Sequence, residues 1–335
     1  MKIVFSIIAF LPLVLFAQNK LPFIESITSD TLNGKYQQIV FTYDQNNRVT
    51  NIFKINYKTQ KTSPNDPFPL IDTVRNEKFS YSGRSKNPVS RKITNYEFDP
   101  VDQVSFWNDI EMHFFVYKNG KHIQDSIIYK SNRLHVVEEN NIDNDKVRNW
   151  RGTINYSSKS LLYKLEFNYL TKRWGDYDQG ETTELLINSQ QNIEKEASEP
   201  FFKSHSSSNP PYYTFTKFDN AINPFGYLNI SGILPHEKIS FTYDTKSLIS
   251  TKDDEAYKWD YTHFNWNYFN KNNAITYRIT RGETDSDFSD VIHLTYTYNQ
   301  FNLPIQYFAT IRKEYRSDGT LVSTHQKRFT FRYKN

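Results

Sequence analysis

The chain carries eight histidines. Only His113 and His122 stand where a fold would bring two of them together. They flank Lys118-Asn119-Gly120-Lys121, and Asn-Gly between apolar runs predicts a tight hairpin with the two imidazoles near each other. A zinc site takes three or four protein ligands. No third ligand lies at a suitable spacing, so no metal site is expected. Asp143-Asn144-Asp145, Asp285-Ser286-Asp287-Phe288-Ser289-Asp290 and Gly175-Asp176-Tyr177-Asp178-Gln179-Gly180-Glu181 offer oxygen atoms at alternate positions. They lack the sixth-position Gly and distal Glu of an EF-hand loop and read as solvated turns. Gly-x-Ser-x-Gly and His-Glu-x-x-His are absent, as is any cofactor motif. Cysteine is absent too, which removes thiol catalysis, thiolate metal sites and disulfides. Carboxylates that cleave glycosides pair in space and leave no motif, so a secreted carbohydrate-active hydrolase stands as an alternative.

Aromatic residues offer a different chemistry. Tyr257, Trp259 and Tyr261 alternate, the phase slips at Thr262-His263, and Phe264, Trp266 and Tyr268 then alternate. The slip reads as a bulge or tight turn. A solvent-facing set of these rings would form a platform for sugar rings or a partner protein, whereas a buried set would be ordinary sheet core.

The elements that must position these groups are strands. Ile39, Phe41 and Tyr43 alternate with Val40 and Thr42. The same pattern holds for Leu165, Phe167 and Tyr169, for Leu294, Tyr296 and Tyr298, and for Phe329, Phe331 and Tyr333. Period two with one apolar face is the pattern of half-buried strands. The only helix candidate is Glu181 to Ala197, with a thin apolar stripe of Leu185, Leu186 and Ile193. Strand pairs recur as a unit. Phe41-Thr42-Tyr43-Asp44 returns unchanged as Phe241-Thr242-Tyr243-Asp244. In most copies Tyr is followed by a polar turn and then an apolar residue, as at Val49, Leu161, Leu248 and Leu303. Asp or Asn after Tyr opens the turn by accepting backbone N–H groups two residues on.

Tyr43-Asp44-Gln45-Asn46-Asn47-Arg48-Val49-Thr50 resembles the tyrosine–aspartate repeat of Rhs-type bacterial surface and toxin-shell proteins. Asn47 stands where that repeat carries Gly. The scattered, degenerate copies are closer to those of secreted Bacteroidota proteins. The resemblance implies an open, twisted antiparallel sheet and brings no catalytic residues. Bacteroidota also glycosylate exported proteins at Asp-Ser/Thr-aliphatic triplets. Asp30-Thr31-Leu32, Asp72-Thr73-Val74 and Asp125-Ser126-Ile127 match these, so Thr31, Thr73 and Ser126 are candidate acceptors.

Lys2, the apolar run Ile3 to Phe16, and Ala17 before Gln18-Asn19-Lys20 form the pattern of a secretory signal peptide. Residues 1–17 are therefore expected to be removed, leaving 18–335 as one β-rich domain with a linker candidate at 199–211. No second apolar run is long enough for a helical membrane span, and without Cys the chain cannot be a lipid-anchored precursor of the Cys type. Losing Lys2 from the 41 basic residues leaves 40 against 37 acidic. Both signs are interspersed without a basic stripe, so nucleic acid is not an expected partner. The expectation is an all-β, extended and twisted antiparallel meander of repeated hairpins with at most one short helix. Its expected role is an exported, non-enzymatic binding protein of the cell envelope or surface, contacting a glycan or an envelope protein. An outer-membrane β-barrel is the second alternative, because alternating strands of barrel length are present.

Overall fold

The computed structural model describes residues 21–31, 34–58, 70–99, 104–131, 148–157, 159–168, 180–200, 212–234, 238–244, 261–280, 288–315 and 317–334. The expected signal segment, residues 1–17, therefore lies outside the described residues. Eighteen strands follow one another: β1 (Phe23–Ser29), β2 (Lys35–Tyr43), β3 (Val49–Lys58), β4 (Leu70–Tyr81), β5 (Pro88–Asp99), β6 (Val104–Lys118), β7 (Lys121–Ser131), β8 (Arg148–Tyr156), β9 (Ser160–Asn168), β10 (Gly180–Ile187), β11 (Ile193–Pro200), β12 (Tyr212–Ile222), β13 (Lys238–Asp244), β14 (Tyr261–Asn267), β15 (Asn272–Thr280), β16 (Phe288–Tyr298), β17 (Pro304–Tyr315) and β18 (Leu321–Lys334). Every pairing is antiparallel, and the described residues contain no helix.

The meander is not open. β1 pairs with β18 as well as with β2, so sixteen strands close into a barrel, and β13 and β14 form a separate ribbon between β12 and β15. Closure pairs the two edges that an open sheet would leave with bare N–H and C=O groups. Glu181 to Ala197, the helix candidate, is the β10–β11 hairpin, with Leu185 and Ile193 fully buried. β11 and β12 pair across the 199–211 segment, which therefore joins neighbours in one sheet.

The repeated turn has one construction. Asp44 Oδ1 accepts the N–H groups of Asn46 and Arg48 at 2.8 and 3.0 Å. Asn188 does the same for Gln190 and Asn192, both at 3.0 Å, and Asn299 for Phe301 and Leu303 at 2.9 and 3.1 Å. Each turn then needs one left-handed residue, supplied by Asn47, Gln191 and Asn302 at φ of 59, 65 and 59°. Val49, Ile193 and Leu303 follow, all fully buried.

A tyrosine near the base end of four strands ties its strand to the one before it. Tyr43 donates its hydroxyl to the Ile24 carbonyl at 2.7 Å, Tyr81 to Val49 at 2.6 Å, Tyr117 to Pro88 at 2.7 Å and Tyr333 to Pro304 at 2.6 Å. Three of these rungs run from the end of an even-numbered strand to the start of the strand before it, and Tyr333 repeats the step from β18 to β17. Cations cover two of the rings: Arg48 lies 4.3 Å from the Tyr81 centroid and Lys334 4.5 Å from that of Tyr43.

Inward positions are apolar near this turn-rich end, which we call the base. Ile39, Phe41, Phe79, Phe115, Ile154, Tyr163, Leu185, Phe215, Tyr277, Ile292, Ala309 and Phe329 belong to one buried cluster. Its centre is a non-strand segment, Asn223 to Leu234, which fills the base as a plug. Phe225, Leu228, Ile230, Ile233 and Leu234 are at most 3% exposed, and the Phe225 ring meets those of Phe41, Tyr268 and Phe331 at 6.1–6.5 Å. Polar stalks hold the plug. Asn223 Nδ2 donates to the Asn270 carbonyl at 2.7 Å, and Asn229 accepts from Val49 N–H and donates to Tyr81 and Lys86. Gly226 is required here, because a Cβ would run into the Asn270 carbonyl oxygen. Outward positions are largely polar, and Lys78, Lys92, Arg151, Glu184, Lys195, Arg278 and Arg328 are exposed on seven different strands.

Two results are expected. Phe225→Ala removes a central plug ring and should cost about 3–5 kcal/mol in urea unfolding, against under about 0.5 for Thr330→Ala on the outer wall. Burial raises the Tyr81 hydroxyl pKa from 10.0 to about 12 and pushes those of Tyr43, Tyr117 and Tyr333 up as well. The folded state holds these protons after the unfolded chain has lost them. The stabilisation is thus complete below about pH 10 and falls as pH rises above it. Phenolate absorbance should therefore appear together with unfolding; free titration of all tyrosines in a folded barrel would contradict the rungs.

Candidate binding site in the barrel lumen

Above the apolar base the inward stripes of β3 to β6 turn ionic without changing phase. On β4 Phe79 is followed upward by Glu77 and Arg75; on β6 Phe115 is followed by His113 and Glu111. Register places Glu77, Ile93 and Glu111 at one height, with Phe79, Arg91 and His113 one step nearer the base. Arg75 Nε donates to Glu77 Oε1 at 2.8 Å, and Arg91 Nη1 lies 3.4 Å from Glu77 Oε2. Arg91 Nη2 is 3.4 Å from His113 Nε2, which is in turn 3.3 Å from Glu111 Oε2. The ions therefore form a chain across three strands. Arg91 is 2% exposed at its foot, while the side chains of Arg75 and Glu111 keep 33% and 31% of their surface.

Electrostatics follow from this packing. Burial pushes the Glu111 carboxyl up, but the His113 hydrogen bond and the charges of His113, Arg75 and Arg91 outweigh it, so Glu111 ionises below the usual range. Burial, helped by the Arg75 charge, lowers the Lys54 ammonium to about 8. The lumen thus presents paired cations and anions whose planar groups suit hydroxyls, amides or carboxylates of a polar ligand.

His113 and His122 both point inward, but the Phe115 ring lies between them, 6.4 and 5.2 Å from each. No group of three metal-ligating side chains occurs among the described residues. His122 is instead a clamp for the plug. Its Nδ1 is 3.1 Å from the Ile233 carbonyl and its Nε2 3.0 Å from that of Gln124. The ring also lies against the buried Asp125 carboxylate, which accepts from Tyr163 at 3.4 Å.

The aromatic stretch divides. Tyr257 and Trp259 lie outside the described residues. β13 and β14 pair in continuous register from Lys238↔Asn267 to Asp244↔Tyr261, so no bulge exists at Thr262-His263. Tyr261 stands at odd and Phe264 and Trp266 at even positions of one continuous register, so the step from one set to the other only looks like a slip. Tyr268 leaves the ribbon and is buried against Phe225. Of the six rings, Tyr268 is thus part of the core. Thr31 and Ser126 are exposed, and Thr73 is half-buried in β4. Of the acidic turns, Asp290 is a buried residue of β16, Gly180 opens β10, and 143–145 and 175–179 lie outside the described residues. The ion chain was missed in the sequence, although charges in phase with an apolar stripe, as in Arg75-x-Glu77-x-Phe79, do signal it.

No family model matches the chain, and no curated protein is significantly similar to it. Two solved structures described as porin-like proteins share the extent of the chain. One, from Bacteroides uniformis, is 9% identical with a TM-score of 0.35, covering 93% of this chain and 96% of that one. The other, from Bacteroides vulgatus, is 10% identical with a TM-score of 0.43, at 93% and 99% coverage. A TcdB2–TccC3–Cdc42 complex gives 11% identity and a TM-score of 0.20, with 90% of this chain on 16% of that one. At such scores the likeness adds nothing to the closed barrel already described.

Glu77→Ala removes one carboxylate partner of the buried Arg91 guanidinium and should cost about 1.5–3 kcal/mol. Replacing both partners by Leu and Met should recover most of that loss in the same urea titration.

Proposed function

We propose that the chain is an exported, non-enzymatic binding protein of the cell envelope, and that its ligand enters the lumen from the end opposite the plug. One observation carries this reading: the base is sealed by fully buried apolar side chains, while Arg75 and Glu111 stay partly open higher in the same lumen. A glycan, or a polar segment of an envelope protein, fits the alternating donors and acceptors of that wall. In a glycan-array screen of residues 18–335, Arg75→Ala and Glu111→Ala should each weaken the selected interaction at least about tenfold, with the β-sheet circular dichroism of the folded protein retained. Retention at full strength by both variants would remove the lumen as the site.

An outer-membrane barrel is the second reading, and barrel closure favours it more than an open sheet would. The strand number is even and the turns at the base are short, as in such barrels. The exposed charges of the outer wall weigh against it, because each lysine or arginine facing lipid at the midplane costs about 2–4 kcal/mol. Carbonate washing of source-cell membranes separates the two readings. Release into the soluble fraction is expected for a water-facing wall, and extraction by detergent alone for a spanning barrel.

A further inference from the structure

We propose that one side of this barrel docks on an anionic phospholipid bilayer. Three neighbouring turns of the base, β4–β5, β6–β7 and β8–β9, carry Arg84, Lys86, Lys118, Lys121 and Lys159, all exposed, and no acidic residue. None of the five forms an ion pair among the described residues. The outer wall above them has the same sign. Lys92 of β5 is exposed there and the outward positions of β6 hold no acid; the signs begin to mix at β8–β9, where Arg151 is paired in register with Glu166. Elsewhere the wall mixes signs, as with Glu184 beside Lys195.

Between these cations runs an apolar strip. Phe114 and Val116 of β6 are 45% and 43% exposed, Val89 of β5 is 42% exposed, and Tyr156 at the end of β8 is 37% exposed. Met112 and Ile110 continue the β6 strip upward in the same phase, half-buried. Apolar side chains flanked by cations match the boundary between acyl chains and phosphates: the rings and branched side chains enter, and the long cationic stems reach the headgroups. An acidic protein would meet the cations but leave no reason for exposed Phe114, Val116 and Val89 between them. This surface is the outer wall, distinct from the lumen, so docking leaves the opposite end of the barrel free.

The test is co-sedimentation of the full mature chain with phosphatidylcholine vesicles containing about 30% phosphatidylglycerol, beside pure phosphatidylcholine vesicles. Binding is expected to the anionic vesicles alone and should be lost in about 0.5 M salt and in carbonate. A cation near an anionic surface contributes about fivefold in partitioning, so Lys86→Ala, Lys118→Ala and Lys159→Ala combined should weaken binding roughly a hundredfold. Phe114→Ser with Val116→Ser should weaken it as well, with circular dichroism of both variants unchanged. Equal binding to both vesicle types, undiminished binding by the variants, or no binding at all overturns the proposal. Capture by polyglutamate without vesicle binding also overturns it, and assigns the face to an acidic protein. Carbonate-resistant retention would instead belong to a spanning barrel.

Discussion

The packing of the plug against the inward stripes is the constraint on which the rest of the structure depends. A sixteen-strand barrel encloses more width than its own side chains ordinarily fill. Here the inward stripes are Ile, Leu, Phe and Tyr, and left unfilled they would expose apolar surface to water inside the barrel. Segment 223–234 supplies the missing volume, with Phe225 meeting rings from β2 and β18 at once. Because these two strands flank β1, the same contact supports the seam where the barrel closes. The asparagine stalks and the His122–Ile233 bond satisfy the backbone of a non-strand segment at a depth where unpaired groups are costly.

That constraint polarises the molecule. One end is sealed, its turns short and four of its tyrosines bonded to the preceding strand; toward the other end the lumen wall turns ionic. The gradient lies within single strands, from Phe79 to Arg75 and from Tyr117 to Glu111, so no separate domain is needed to build a site. A plug made of core residues also differs from a gate. Withdrawing five buried apolar side chains would expose the base of the barrel, so the plug is part of the core.

Much of this was legible in the sequence because period-two patterning is local. Ile39, Phe41 and Tyr43, or Phe329, Phe331 and Tyr333, reveal both strand and buried face, and Asp44 and Asn299 reveal the turns. Closure was legible only as the barrel alternative that strand length allowed, because pairing between β1 and β18 depends on the sum of strand twists, which no local window contains. The plug was hidden for a related reason: Pro224 to Leu234 has neither strand nor helix period, and its burial follows from the barrel around it. The supposed bulge at Thr262-His263 was an error of framing, since residues at odd and even positions of one ribbon look like a phase slip when only large rings are counted. The Arg75 to Glu111 chain shows the reverse case, in which the charges were plain but their pairing is across strands.

The central claim is the polarity of the wall, apolar inward and largely polar outward. The absence of native cysteine makes single-cysteine labelling its most direct test. On β17, Ala309 is fully buried and Phe308 exposed, and on β18 Arg328 is exposed. With a water-soluble maleimide and no detergent, Phe308→Cys and Arg328→Cys should react at once in folded protein, and Ala309→Cys only on unfolding. Rapid reaction at 309 with protection at 308 and 328 would contradict the account and turn the barrel inside out.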